Sequence, residues 1–241
     1  MLDSLQLIAL APILIWQGRK VRQNTLRLPE AAGARIGSTG QGQPLRILLL
    51  GDSAAAGVGV TRQEDAFAGQ LAAQLSEDYH ITWQLLAESG LNCQQLLSKL
   101  DSLSQQTYDC VVLSIGVNDV TAGTKDRLWL AQLHLLREKL QSNFNVQHVF
   151  ISAIPPMQHF TALPAPLSGY LGRRAQRLNR LTEQLAERCD DWCFMPIELS
   201  VEPQMLATDG FHPSGLAYRL WAEQVALRIK TTPFKPVSSA E

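Results

Sequence analysis

Downstream of Leu45 the chain alternates short aliphatic runs with longer stretches whose apolar positions recur every three or four residues. The short runs predict strands at 46–50, 82–87, 110–115, 148–153 and 192–195. They are mostly apolar, with consecutive apolar positions, so both faces of each strand should be covered. The longer stretches predict amphipathic helices at 64–76, 93–103, 125–142 and 169–189, with a last one at 214–229. Strands alternating with helices, without internal repeats, predict an α/β fold with a mostly parallel sheet of about five strands. In such sheets ligands bind outside the carboxyl ends of the strands, so chemistry should be sought just after each strand.

Upstream of Leu45 the pattern breaks down. Residues 31–44 are rich in Gly, Ser, Thr and Gln, lack apolar periodicity, and read as a loop or tether. Before them, residues 5–16 are strongly apolar, no charge lies between Asp3 and Arg19, and Arg19, Lys20, Arg22 and Arg27 follow. A cleavable secretory signal has the opposite order, with its positive charge first. The run is also shorter than the roughly 20 apolar residues a spanning helix needs. Residues 5–27 therefore suit association with an anionic membrane surface, on its cytoplasmic side if the segment inserts. A helix packed on the protein's own domain is the plainer reading. The expected organisation is an N-terminal segment and linker at 1–44, a folded α/β domain at 45–232 and a tail at 233–241.

Composition narrows the picture. Apolar residues make up 46% of 241 positions and the formal net charge is −1, so nothing electrostatic points to nucleic acid. The four cysteines, Cys93, Cys110, Cys189 and Cys193, are too few for a disulfide scaffold and lack the paired spacing of a zinc site. Neither a metal nor a cofactor is expected.

Four clusters stand where chemistry is expected: Gly51-Asp52-Ser53 after the first strand, Glu88-Ser89-Gly90 after the second, Gly116-Val117-Asn118-Asp119 after the third, and Asp209 to Ser214 at the start of the last helix. The first could cradle a phosphate, but it lacks the Lys and the spacing of a phosphate loop, and Asp52 would repel the anion. The alternative is a nucleophile. A serine needs a base, an orienting acid and donors for the developing oxyanion. His212 can be the base, and Asp209, three residues earlier across a turn opened by Gly210, can hold one imidazole nitrogen while the other faces Ser53. The expected donors are the Ser53 N–H at a helix start, the Gly90 N–H and the Asn118 amide. Taken singly, a Gly-Asp-Ser is a turn, an Asn-Asp a helix cap and an Asp-x-x-His a surface arrangement. Together, at successive strand ends, they describe a site. Asp119 reads as a cap, and Asp52 as a ligand of local backbone.

In that order these blocks resemble the SGNH, or GDSL-type, hydrolases. The resemblance runs from Leu45 to about Ile229, with Ala54 in place of the family's usual Leu. It implies a flavodoxin-like three-layer α/β/α fold and metal-independent ester or thioester hydrolysis. By the same likeness Ser53, Asp209 and His212 would be catalytic, and Ser53, Gly90 and Asn118 would form the oxyanion hole. The proline-stiffened segment 154–171 should overhang the same edge, and Met157, Phe160 and Leu163 are candidate acyl contacts. Trp129 and Trp221 fall on helices, where core packing accounts for them. The substrate expected is a lipid-like or short-acyl ester or thioester. The other readings are a carbohydrate O-acetyl esterase, and a non-catalytic, membrane-tethered binding protein.

Overall fold

The computed structural model describes residues 4–197 and 202–235. Its sheet contains β1 (Ile36–Thr39), β2 (Gln43–Gly51), β3 (Tyr79–Ala87), β4 (Cys110–Ser114), β5 (His148–Ser152) and β6 (Trp192–Met195), in the order β1-β3-β2-β4-β5-β6. Only β1 runs antiparallel to its neighbour. The helices are α1 (Ser4–Asn24), α2 (Phe67–Leu75), α3 (Cys93–Leu100), α4 (Val117–Ala122), α5 (Asp126–Phe144), α6 (Leu167–Ala186) and α7 (Gly215–Lys230).

The continuous apolar strands are explained by two cores. Leu48, Leu50, Val111, Leu113, Val149 and Ile151 point to one face and pack with Leu96, Leu133, Leu136, Ala175 and Leu178 of α3, α5 and α6. Their neighbours Ile47, Leu49, Cys110, Val112 and Phe150 point the other way, onto Phe67, Leu71, Tyr218, Ala222 and Val225 of α2 and α7. With side chains alternating at period two and both faces covered, consecutive positions in the covered part of a strand are apolar. This is a three-layer α/β/α sandwich.

The sheet has six strands, one more than expected, and the extra strand lies inside the stretch read as a tether. β1 gives no hydrophobic signal because no layer covers it; Ile36 is 63% exposed. Backbone pairing holds it instead, from Ile36 opposite Gln84 to Thr39 opposite Ile81. Gly37 lies flat on the Trp83 indole, where a Cβ would come within 2.8 Å of the ring. β2 likewise begins at Gln43, earlier than the apolar run, since pairing to β3 continues past the covered region.

The segment before β1 is stitched to the domain. Ala32 N–H donates to Thr61 O at 2.9 Å and Gln63 N–H to Ala32 O at 2.8 Å. The buried Gln63 Nε2 donates to the carbonyls of both Ala31 and Ala56. Further upstream, α1 lies against α6. Leu10, Leu14 and Val21 join the core, and the buried Gln17 donates to Ala165 O at 2.8 Å while accepting from Leu167 N–H at 3.2 Å. At the other end, Lys235 N–H donates to Gln147 Oε1 at 2.8 Å, and the rest of the predicted tail lies outside the described residues.

Candidate active site

β2 delivers Ser53 to the carboxyl edge of the sheet. The ladder continues one residue beyond the strand, with Asp52 N–H donating to Ser114 O at 3.1 Å. Gly51 can carry no side chain, because a Cβ would sit 2.3 Å from that same carbonyl. Ser53 does not open a helix as expected. Residues 53–59 form successive turns, closed by Ala56 N–H to Asp52 O at 2.9 Å and Val58 N–H to Ser53 O at 3.0 Å. Gly57 and Gly59, at φ +86° and +113°, bend the chain out of a helical path. A free donor survives without a helix: the Ser53 N–H has no acceptor among the described residues.

The same turns bring the histidine in. A Cβ on Gly59 would lie 2.2 Å from Pro213 O, so only glycine permits this approach. The buried Tyr218 of α7 donates to Val58 O at 2.7 Å and fastens the two loops from below. Between them, Asp209 Oδ1 accepts the N–H groups of Phe211 and His212, both at 3.0 Å, and shapes the turn. Its Oδ2 lies 2.6 Å from His212 Nδ1, and His212 Nε2 lies 2.9 Å from Ser53 Oγ. Burial pushes the Asp209 carboxyl up, but the His212 ring and the two N–H donors outweigh it and hold the group below its ordinary value. A carboxylate that stays charged fixes the imidazole tautomer and can stabilise an imidazolium. Nε2 is then free to accept the serine proton.

The other predicted residues gather at the same edge. Gly90, at φ +89°, has open space where a side chain would project, and its N–H has no acceptor among the described residues. Asn118, in α4, donates through Nδ2 to Leu91 O at 2.8 Å and points towards Asp52 Oδ2 at 3.4 Å. The first contact anchors the amide, and the second, longer one is directed at the buried carboxyl next to Ser53. Asp119 caps α3 and not its own helix: Oδ2 accepts Cys93 N–H at 3.0 Å while Oδ1 accepts Thr124 Oγ1 at 3.1 Å. Asp52 meets local backbone as expected, accepting Ala54 N–H at 3.1 Å. It is fully buried, and desolvation, reinforced by the nearby Asp119 charge, raises its pKa to about 7 despite the Ala54 N–H.

Beside Ser53 and His212 opens an apolar cleft of about 140 Å³. Ile154, Phe160, Met195, Leu206, Phe211 and Trp221 are among its walls. Of the three acyl contacts suggested by sequence, only Phe160 lines it. Met157 and Leu163 are buried in the core against α6, because the 154–171 segment folds back onto that helix; a Cβ on Gly172 would meet Gln158 Oε1 at 2.3 Å. The segment also touches the histidine turn, with Ala162 N–H donating to Gly210 O at 3.1 Å and Phe160 packing edge-on to Phe211. Trp129 is core, donating to Thr182 Oγ1. Trp221 is not only core: it stacks on Phe67 at 3.8 Å, donates to Ser152 Oγ at 3.0 Å, and forms part of the cleft.

Glu30 is a contributor that sequence reasoning missed. Its Oε1 accepts Ser89 N–H at 2.6 Å, immediately before Gly90, and Oε2 pairs with Arg35, which in turn donates to Ala87 O at 2.6 Å. No motif surrounds Glu30, and only the threading of the segment past the β3 end places it there. Among the described residues no group of three or more His, Cys, Asp or Glu side chains is placed to hold a metal ion.

Comparison with known proteins agrees with this architecture. Over 197 residues the chain is 25% identical to a GDSL-like esterase of Mycobacterium tuberculosis, covering 77% of this chain and 62% of that protein's length. Among solved structures, TesA superposes with a TM-score of 0.63 at 21% identity, covering 77% of this chain and 98% of that one. The psychrotrophic esterase EstA from Pseudoalteromonas sp. gives 0.60 at 22% identity, covering 77% and 96%. A catalytic mutant of Axe2, an acetylxylan esterase from Geobacillus stearothermophilus, gives 0.59 at 17% identity, covering 78% and 95%. At these identities the structural likenesses establish the fold. The family model for GDSL-like lipases and acylhydrolases matches residues 49–220, most of the chain and all four sequence blocks, so this protein belongs to the GDSL-like lipase/acylhydrolase family.

Proposed function

We propose that the protein hydrolyses carboxylic esters or thioesters through an acyl-enzyme on Ser53. The reading rests on one observation above the others: the unbroken chain from Asp209 Oδ2 to His212 Nδ1 at 2.6 Å and from His212 Nε2 to Ser53 Oγ at 2.9 Å. His212 takes the hydroxyl proton as Ser53 attacks the acyl carbon, and Asp209 steadies the imidazolium. The tetrahedral oxyanion is met by the N–H groups of Ser53 and Gly90 and by the Asn118 N–H that otherwise makes the long contact to Asp52. The proton returns to the leaving alcohol or thiol, and water repeats the sequence on the acyl-enzyme.

The cleft supports an apolar acyl group. A cavity near 150 Å³ holds a benzene-sized molecule, so about 140 Å³ suits a chain of roughly six carbons. The face of Trp221 is already covered by Phe67, which favours an alkyl chain over a stacked sugar. A lipid-like ester or a short acyl thioester fits these walls better than an acetylated carbohydrate, the substrate named for Axe2. A binding protein without catalysis would have no use for the hydrogen-bonded Asp209–His212–Ser53 chain.

The test is a panel of p-nitrophenyl esters of increasing length, with acyl-CoAs, a lysophospholipid and acetylated xylan alongside. The expected optimum lies at butanoate to hexanoate, with Ser53→Ala inactive. Turnover of acetylated sugar alone would reassign the substrate, and full activity in Ser53→Ala would end the proposal.

A further inference from the structure

We propose that the outward face of α1 docks on an anionic lipid bilayer. The helix has one side committed to the domain, where Leu10, Leu14, Gln17 and Val21 recur at helical spacing and meet the α6 side. Its free side is divided along the axis and not around it. Around its middle, Ile13, Ile15 and Trp16 are 41%, 57% and 58% exposed. Towards the C-terminal end the exposed residues are all polar and include Arg19, Lys20 and Arg22, and beyond the helix Leu26, at 57% exposure, is followed by Arg27. At the border the Lys20 ammonium lies 5.1 Å over the Trp16 ring, an indole and a cation stacked where a bilayer turns from acyl chain to headgroup.

Charge identifies the occupant. The whole chain carries a formal net charge of −1, yet four cations cluster within nine positions, 19 to 27, with no acid among them. None of the four forms a salt bridge among the described residues. Three large exposed apolar side chains followed by unpaired cations match an acyl layer bordered by lipid phosphates. A purely apolar contact with a second copy would leave those cations facing each other. No described helix is long and apolar enough to cross a membrane, and α1 is already fastened to α6, so the contact is with one leaflet. Gln17 bonds the backbone on either side of Pro166, a few residues from Phe160 at the cleft wall. A docked α1 would hold that wall close to the lipid surface. The proposal does not depend on the chemistry at Ser53.

The experiment is co-sedimentation of the full-length protein with vesicles of phosphatidylcholine alone or with 30% phosphatidylglycerol, a composition of about one anionic lipid in three. The wild type should pellet with the anionic vesicles, be released by high salt, and stay largely in solution with neutral ones. Arg19→Glu/Lys20→Glu/Arg22→Glu should weaken binding about a hundredfold or more, from roughly a fivefold loss per cation at the surface. Ile13→Ser/Trp16→Ser should weaken binding to anionic vesicles about tenfold or more. All these side chains are solvent-exposed, and unchanged thermal melting checks that each variant is folded. No wild-type binding to either vesicle, or undiminished binding in both variants, would overturn the proposal. So would concentration-dependent self-association through this face without lipid binding.

Discussion

Two buried carboxylates flank Ser53, and they behave in opposite ways. Asp209, on the histidine turn, accepts two backbone N–H groups and lies against the His212 ring, and its carboxyl is held below the ordinary value. Asp52, next to the serine itself, is more deeply enclosed, has one N–H at 3.1 Å and a longer contact to Asn118 at 3.4 Å, and burial carries it to about 7. Deeper burial and the neighbouring Asp119 charge raise Asp52, whereas the His212 ring and two N–H donors outweigh burial at Asp209. The proposed mechanism needs this asymmetry. A fixed negative charge behind His212 favours the imidazolium, whereas a charge at Asp52 would compete with the oxyanion for the Asn118 amide.

The largest test of this contrast is Asp209→Asn, which preserves the size of the side chain but removes the charge. Turnover of p-nitrophenyl butyrate should fall on the order of 10⁴-fold, the loss expected when a triad acid no longer fixes its histidine. Asn118→Ala comes next, with a loss of about 10²- to 10³-fold in kcat and little change in KM, because the amide acts on the oxyanion and not on bound ester.

Asp52→Asn should do far less, costing under about tenfold in kcat, since the amide oxygen can still accept from Ala54 N–H. It should alter stability instead. The folded-state value near 7 lies above the ordinary carboxyl value near 3.9, so ionising Asp52 opposes folding. That penalty is absent below about pH 4, grows through the window between the two values, and is complete above about pH 7. The melting temperature of Asp52→Asn relative to wild type should therefore rise from pH 4 to pH 8. A kcat loss as large as that of Asp209→Asn would mean that Asp52 has to be charged. The smallest effect belongs to a third carboxylate, Glu30, whose bond to Ser89 N–H steadies the loop before Gly90. Glu30→Ala should lower kcat only a few-fold, a fraction of the worth of one charge-assisted hydrogen bond because the bond acts through the loop, and leave KM nearly unchanged.

The parts of the molecule that were legible in the sequence are those in which residue type is dictated by chemistry or by burial on two sides. Ser53, Gly90, Asn118, Asp209 and His212 stand at strand ends and a helix start, where the topology brings them together. The five covered strands were visible because alternate residues feed two cores. β1 was not visible, since an uncovered edge strand is specified by backbone pairing and needs no apolar pattern. The helix expected at Ser53 failed because Gly57 and Gly59 serve a different need, the close approach of the histidine turn. Met157 and Leu163 were misassigned because an apolar residue in an overhanging segment can face either the cleft or the core, and nothing local distinguishes the two. Trp221 met the reverse error, since a helix placed behind the sheet also reaches the cleft.

The central claim is that Ser53 is a nucleophile activated by His212. Intact-protein and peptide mass spectrometry after treatment with a fluorophosphonate tests it most directly. A single phosphonyl adduct on the peptide containing Ser53, absent in Ser53→Ala and formed at least about a hundredfold more slowly in His212→Ala, is the predicted result. An unlabelled wild-type protein, or an adduct on another residue that persists in Ser53→Ala, would contradict it.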